Sequence, residues 1–212
     1  MKAFWGRIWA TIACIGGVAA SSQSLAAEDT GLVGAKLSVV QTTDDFFLFF
    51  NFASIGDEKL PDGGLMTSFK PTGEAFRALV TLGVTTDKSG VITKLHLEVA
   101  RSFIDDPKKC IYAADLVKSF LTKAGTTTGD DPVGSLAREI SARAMSRSTV
   151  TMLTAQPVPQ PPPTISAAYQ TYSGNSQSQT LLYPSGRLQL LLRNETQSKD
   201  PVLELVVSAK SA

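Results

Sequence analysis

The sequence predicts an α+β fold: an antiparallel hairpin or sheet packed by two helices, then a proline-rich connector and a carboxy-terminal antiparallel β-sheet unit. Three observations carry that prediction. Two runs of period-two hydrophobicity flank the turn residues Asp87-Lys88-Ser89-Gly90. Two segments with apolar residues at three- and four-residue spacing come next, and several short β-type runs follow a cluster of prolines.

Residues 1–26 read as a secretory signal. A basic start (Lys2, Arg7) precedes an apolar run over 8–20, and Ser24-Leu25-Ala26 offers small residues for cleavage after Ala26 or Ala27. At 13 residues the apolar run falls short of the roughly 20 that a spanning helix needs. A lipoprotein reading through Cys14 is weaker, because Thr11-Ile12-Ala13 lacks the usual leucine. The expectation is a periplasmic or secreted bacterial protein with a cleaved leader and no transmembrane helix in the mature chain.

Cleavage would leave 186 residues carrying 18 basic and 19 acidic side chains. A near-neutral chain exerts no long-range pull on nucleic acid or anionic lipid, so neither is expected as a partner. Cys110 is the one cysteine after the leader, which precludes an internal disulfide and leaves the fold to its core. The organisation expected is a signal peptide at 1–26, an α+β domain at 27–155, a linker at 156–164 and an antiparallel β subdomain at 165–212.

Residues 36–41 suggest a strand. Asp44-Asp45 then leads into residues 46–52, where Phe46, Phe47, Phe49, Phe50 and Phe52 make up five of the ten phenylalanines. At this length periodicity does not distinguish a strand buried on both faces from a buried helical turn. Core is the default for so much aromatic area, and an exposed patch for an apolar ligand, a partner or a membrane surface is the sharper alternative. Residues 54–71 are rich in loop chemistry, with Gly56-Asp57-Glu58 and Pro61-Asp62-Gly63-Gly64. A connection this long suggests a lid or binding loop and is the leading location for a site. Its acids lack the ordered spacing of a calcium-binding loop.

The first strand run places Phe76, Ala78, Val80, Leu82 and Val84 on one side. The second places Val91, Thr93, Leu95, Leu97 and Val99 there, which turns His96 outward between Lys94 and Glu98, with Arg77 and Thr81 across the hairpin. His96 therefore reads as a surface residue, with a ligand-contacting imidazole as the functional alternative.

A helix is expected over 107–124, its stripe formed by Cys110, Ala113, Ala114, Val117, Phe120, Leu121 and Ala124, with Gly125 closing it in a left-handed conformation. Cys110 on that stripe reads as a small buried hydrophobe rather than a nucleophile. A second helix over 132–148 buries Val133, Leu136, Ala137, Ile140 and Ala144, and Glu139 has ion-pair spacing to Arg143. Both helices follow an Asp-Asp-Pro triplet. Asp106 and Asp131 are placed to cap, and Pro107 and Pro132 suit a first helical position.

The prolines at 157–163 predict an extended spacer. Beyond it, β-type runs at 165–172, 179–183, 187–193 and 202–208 complete the carboxy-terminal unit.

No hydrolase elbow, metalloprotease helix or phosphate-cradling glycine loop occurs. One histidine and one cysteine after the leader do not make a structural zinc cluster, so no metal and no cofactor is expected. The function expected is a non-catalytic binding or accessory protein of the cell envelope, its partner another envelope protein or a small ligand. Candidate contact residues are Phe46, Phe47, Phe49, Phe50, Asp57, Asp62 and His96. One alternative is an enzyme using acids of the 54–71 loop, with His96 or the Asp105/Asp106 pair. The other is a peripheral envelope protein held by residues 46–52.

Overall fold

The computed structural model describes residues 31–148, 161–196 and 200–210. The expected leader and the part of the connector at 156–160 lie outside the described residues. In chain order the elements are α1 (Leu37–Thr43), α2 (Asp45–Phe49), β1 (Phe52–Lys59), β2 (Leu65–Pro71), α3 (Glu74–Arg77), β3 (Val80–Thr86), β4 (Ile92–Ala100), α4 (Arg101–Ile104), α5 (Cys110–Ala124), α6 (Pro132–Arg147), α7 (Pro163–Tyr172), β5 (Ser178–Leu182), β6 (Leu188–Glu195) and β7 (Val202–Ala209).

Alternation makes the centre of the fold. Val80, Leu82 and Val84 on β3 and Leu95, Leu97 and Val99 on β4 all point into the core, as the period-two pattern requires. A register shift between Thr85 and Thr86 pairs Thr86 with Ile92, so Ile92 is buried and Thr93 is exposed, the reverse of strict alternation. β7 then pairs antiparallel with β4 from Lys94↔Ser208 to Ala100↔Val202. Among the described residues seven antiparallel strands form one sheet in the order β1-β2-β3-β4-β7-β6-β5, and with the helices this is an α+β fold. The carboxy-terminal strands continue the amino-terminal sheet edge to edge.

The two long helices supply the second layer. Ala113, Ala114, Val117, Phe120, Leu121 and Ala124 of α5, with Val133, Leu136, Ala137 and Ile140 of α6, join the sheet in one hydrophobic cluster. Asp131 caps α6 as expected, its Oδ1 accepting from the N–H groups of Val133 (2.9 Å) and Gly134 (3.0 Å). Glu139 and Arg143 form their ion pair, and the Arg143 guanidinium also lies 4.6 Å from the Tyr169 ring centroid.

Several expectations are corrected. Helix α5 begins at Cys110 rather than 107. Asp106 accepts from Lys108 N–H in a preceding turn (2.9 Å), and Asp105 ends α4 in an ion pair with Arg101 (2.7 Å). Gly125 is extended (φ −142°), and its value is room: a Cβ there would meet the Tyr183 ring at 2.8 Å. Residues 36–41 are not a strand but contribute to α1, because Leu37 and Val40, three apart, both bury against the core. Residues 74–77 form the turn α3, so the strand starts at Val80 rather than Phe76.

The segment 54–71 is not a structureless loop. It is the hairpin of β1 and β2, closed by a turn in which Gly63 has φ +82° and a Cβ on Gly64 would strike the Thr86 carbonyl at 2.3 Å. From Ala53 to Lys59 every β1 residue is exposed, so this edge strand carries no burial alternation to read. Finally, residues 165–172 belong to a helix, not a strand. Pro163 sits in the first turn of α7, and Ile165, Ala168 and Tyr172 share its buried face.

Candidate aromatic cleft and the open sheet face

The short helix α2 sorts the phenylalanine run. The Asp44 side chain caps it by accepting from Phe46 N–H (2.8 Å), and one helical turn then directs consecutive rings to different places. Phe46 and Phe47 are buried. Phe46 lies 5.3 Å from Phe52 and 6.1 Å from Phe120 by ring centroid, and Phe47 packs edge-on to Phe69 at 5.6 Å. Phe49 is 78% exposed and stands against Phe50, which closes the helix, at 5.0 Å. Asn51 then takes a left-handed conformation (φ 49°), which asparagine tolerates better than most residues, and turns the chain into β1. Its side-chain amide donates to the Thr72 hydroxyl and its carbonyl accepts from Thr72 N–H, latching the start of β1 to the end of β2.

Phe49 and Phe50 form one wall of a cleft of about 460 Å³. Phe76 of α3, Val80 of β3 and Phe103 of α4 line it further, as do Tyr112 and Leu116 of α5, and Asn51, Thr72 and Asp115 supply polar groups. Phe76 stacks at a tilt against Phe103 (5.4 Å) and Tyr112 (6.1 Å). Tyr112 is 59% exposed, so two exposed rings, one from α2 and one from α5, line the cleft. Beyond Phe49 and Phe50 a second, shallower hollow of about 720 Å³ is lined by Asp45, Leu48, Asp115, Lys118 and Lys123, the last paired with Asp44 at 3.4 Å.

The other residues singled out in the sequence lie elsewhere. Asp57 is exposed on the edge strand β1. Asp62 sits in the β1–β2 turn, where its carboxylate accepts from Gly64 N–H (2.9 Å). Neither lines the cleft. Cys110 is buried, its Sγ 3.7 Å from the carbonyl oxygens of Pro107 and Ala144.

His96 is on the sheet face that points away from Leu95 and Leu97. Its cross-strand neighbours are Gly83 and Val206, not Thr81, which pairs with Glu98, or Arg77, which lies in α3. Nε2 of His96 is 3.7 Å from Oε1 of Glu98, and Glu98 directly faces Glu204 on β7.

Sequence reasoning missed Phe76, Phe103, Tyr112 and Asp115 as cleft residues. One signal was present: Tyr112 falls off the apolar stripe of α5, an aromatic ring placed on the side that the helix shows to solvent. No protein family, curated protein or solved structure matches this chain.

Proposed function

We propose that this chain is an exported bacterial envelope protein that binds, without catalysis, the apolar part of a small ligand in the cleft between α2, α3 and α5. The observation that carries the reading is the placement of Phe49 and Tyr112. Two large, mostly exposed rings line a concavity whose lining also includes Phe50, Phe76 and Phe103. Exposed aromatic area of this kind is unfavourable for a monomer unless something covers it. A volume of about 460 Å³ lies in the range of small-molecule sites. A standard protein interface, by contrast, buries roughly 800 Å² on each partner. Asp115, Asn51 and Thr72 at the edge give a polar group of the ligand something to meet.

The groups proposed for catalysis do not converge with the cleft. Asp57, Asp62 and His96 are distributed over an edge strand, a turn and the opposite sheet face, and Asp105 is paired with Arg101. Export is part of the proposal and rests on the leader-like residues 1–26. No helix among the described residues is long and apolar enough to cross a membrane.

An apolar fluorescent dye such as anilinonaphthalene sulfonate tests the site. Saturable binding to one site per chain is expected. Binding should weaken at least about tenfold in a Phe49→Ala/Tyr112→Ala variant, since losing most of two ring contacts removes more than about 1.4 kcal/mol. Undiminished dye binding by a folded double variant would contradict the reading.

A further inference from the structure

On the sheet face opposite the helices, we propose that His96, Glu98 and Glu204 bind one divalent first-row transition cation. Strand geometry assembles the set: His96 and Glu98 are two apart on β4 and so point to the same side. The β4–β7 register sets Glu204 directly opposite Glu98, and the β6–β7 register sets Arg193 directly opposite Glu204. The three ligand atoms, one from each residue, all lie within 4.8 Å of one another.

Two features of the cluster favour a bound cation. Like charges directly opposed across an antiparallel pair repel, and Glu98 faces Glu204 in that way. Arg193 answers part of this, but its Nε and Nη2 both contact the same oxygen, Oε2 of Glu204, at 2.7 and 2.5 Å. The second feature is His96 itself: its ring is about a third exposed (32%), yet Nε2 is buried and has no hydrogen-bond partner. Oε1 of Glu98, at 3.7 Å, is beyond hydrogen-bond range. A buried nitrogen without a partner is unfavourable, and a metal ion satisfies it together with both carboxylates.

The spacing fits. With ligand bonds of 2.0–2.2 Å, neighbouring donors in a tetrahedral site stand about 3.3 Å apart, close to the 3.7 Å between His96 and Glu98. Binding then requires the three ligand atoms, now up to 4.8 Å apart, to draw closer together. An imidazole nitrogen with two carboxylate oxygens suits zinc rather than calcium or magnesium, which take oxygen donors, and His96 and Glu98 are about a third exposed while Glu204 is mostly buried. Counting histidines and cysteines along the chain did not show this set, because its carboxylates become ligands only through the pairing of β4 with β7.

The test uses Zn²⁺ alone on untagged protein. His96 is the only histidine in the chain, so its imidazole resonances report the site without assignment ambiguity. Stoichiometric Zn²⁺ should shift them, and calorimetry should give one ion per chain. His96→Ala and Glu98→Gln should each weaken binding by at least about 100-fold, because changes behind a ligand already cost 10–100-fold. Circular dichroism of each variant establishes that it has folded. Asp57→Asn, on the distant edge strand, should bind as the parent does. Imidazole resonances that ignore Zn²⁺ in the parent protein, or equal affinity in a folded His96→Ala variant, would overturn the assignment.

Discussion

Phe46 and Phe47 differ from Phe49 and Phe50 in almost nothing but position, yet the first pair builds the core and the second builds a cleft. The five-residue helix α2 contributes to the difference, because at 3.6 residues per turn Phe47 and Phe49, two positions apart, point to nearly opposite sides, and Phe50 falls at the helix end. The first pair packs against Phe52, Phe69 and Phe120, rings supplied by two strands and a long helix. The second pair meets the cleft at its edge, where Phe49 has solvent on one side. Hydrophobic residues in one run can therefore serve stability and recognition separately, and composition alone does not divide them.

Replacing a ring of the first pair is the severest way to probe that division. Phe46→Ala empties a fully enclosed site and should lower the unfolding free energy by about 3–5 kcal/mol, read from denaturant curves. A loss under about 1 kcal/mol would mean that Phe46 is not the core residue described.

Buried tyrosines extend the core side of the comparison. Burial pushes the phenols of Tyr172 and Tyr183 above their ordinary range, and the Tyr183 hydroxyl donates to the Leu121 carbonyl at 3.0 Å. Folding therefore favours the neutral phenols. Their contribution is fully present below about pH 10, where the unfolded chain also keeps its phenols neutral, and is lost as pH rises above that value. Alkaline titration of the folded protein should show these two of the four tyrosines resisting ionisation until the fold opens. Ionisation of all four near pH 10 with the fold intact would contradict their burial.

A smaller effect is expected at the cap that orients the run. Asp44→Ala removes the acceptor for Phe46 N–H and the Lys123 ion pair, and should lower stability by about 1 kcal/mol. Unchanged melting would show that α2 is held by its rings alone. At the small end, Phe49→Ala should alter stability by no more than about 0.5 kcal/mol, as exposed substitutions do.

What was legible in the sequence follows the same physics. The β3–β4 hairpin was readable because both strands are buried on one face, and α5 and α6 because each lays a continuous stripe on the sheet. The β1–β2 hairpin was not, since β1 is exposed throughout after Phe52 and its Gly56-Asp57-Glu58 looks like turn chemistry. Helices α1 and α7 are rich in Val, Ile, Thr and Tyr, residues that favour strands, and tertiary burial of Leu37, Val40, Ile165 and Ala168 overrides that preference. Phe49 and Phe50 were singled out as candidates, but the rest of the cleft comes from β2, β3, α3, α4, α5 and the turns at Asn51 and Thr72-Gly73, so its concavity exists only after folding. The pairing of Glu98 with Glu204 depends likewise on strand register between distant parts of the chain.

The most direct test of the division is to follow the phenylalanine and tyrosine ring resonances of the protein while titrating it with the apolar dye. Binding at the cleft predicts shifts for Phe49, Phe76 and Tyr112, with Phe47 and Phe69 unmoved. Shifts spread over the core rings, or none at Phe49 and Tyr112 under saturating dye, would contradict the account.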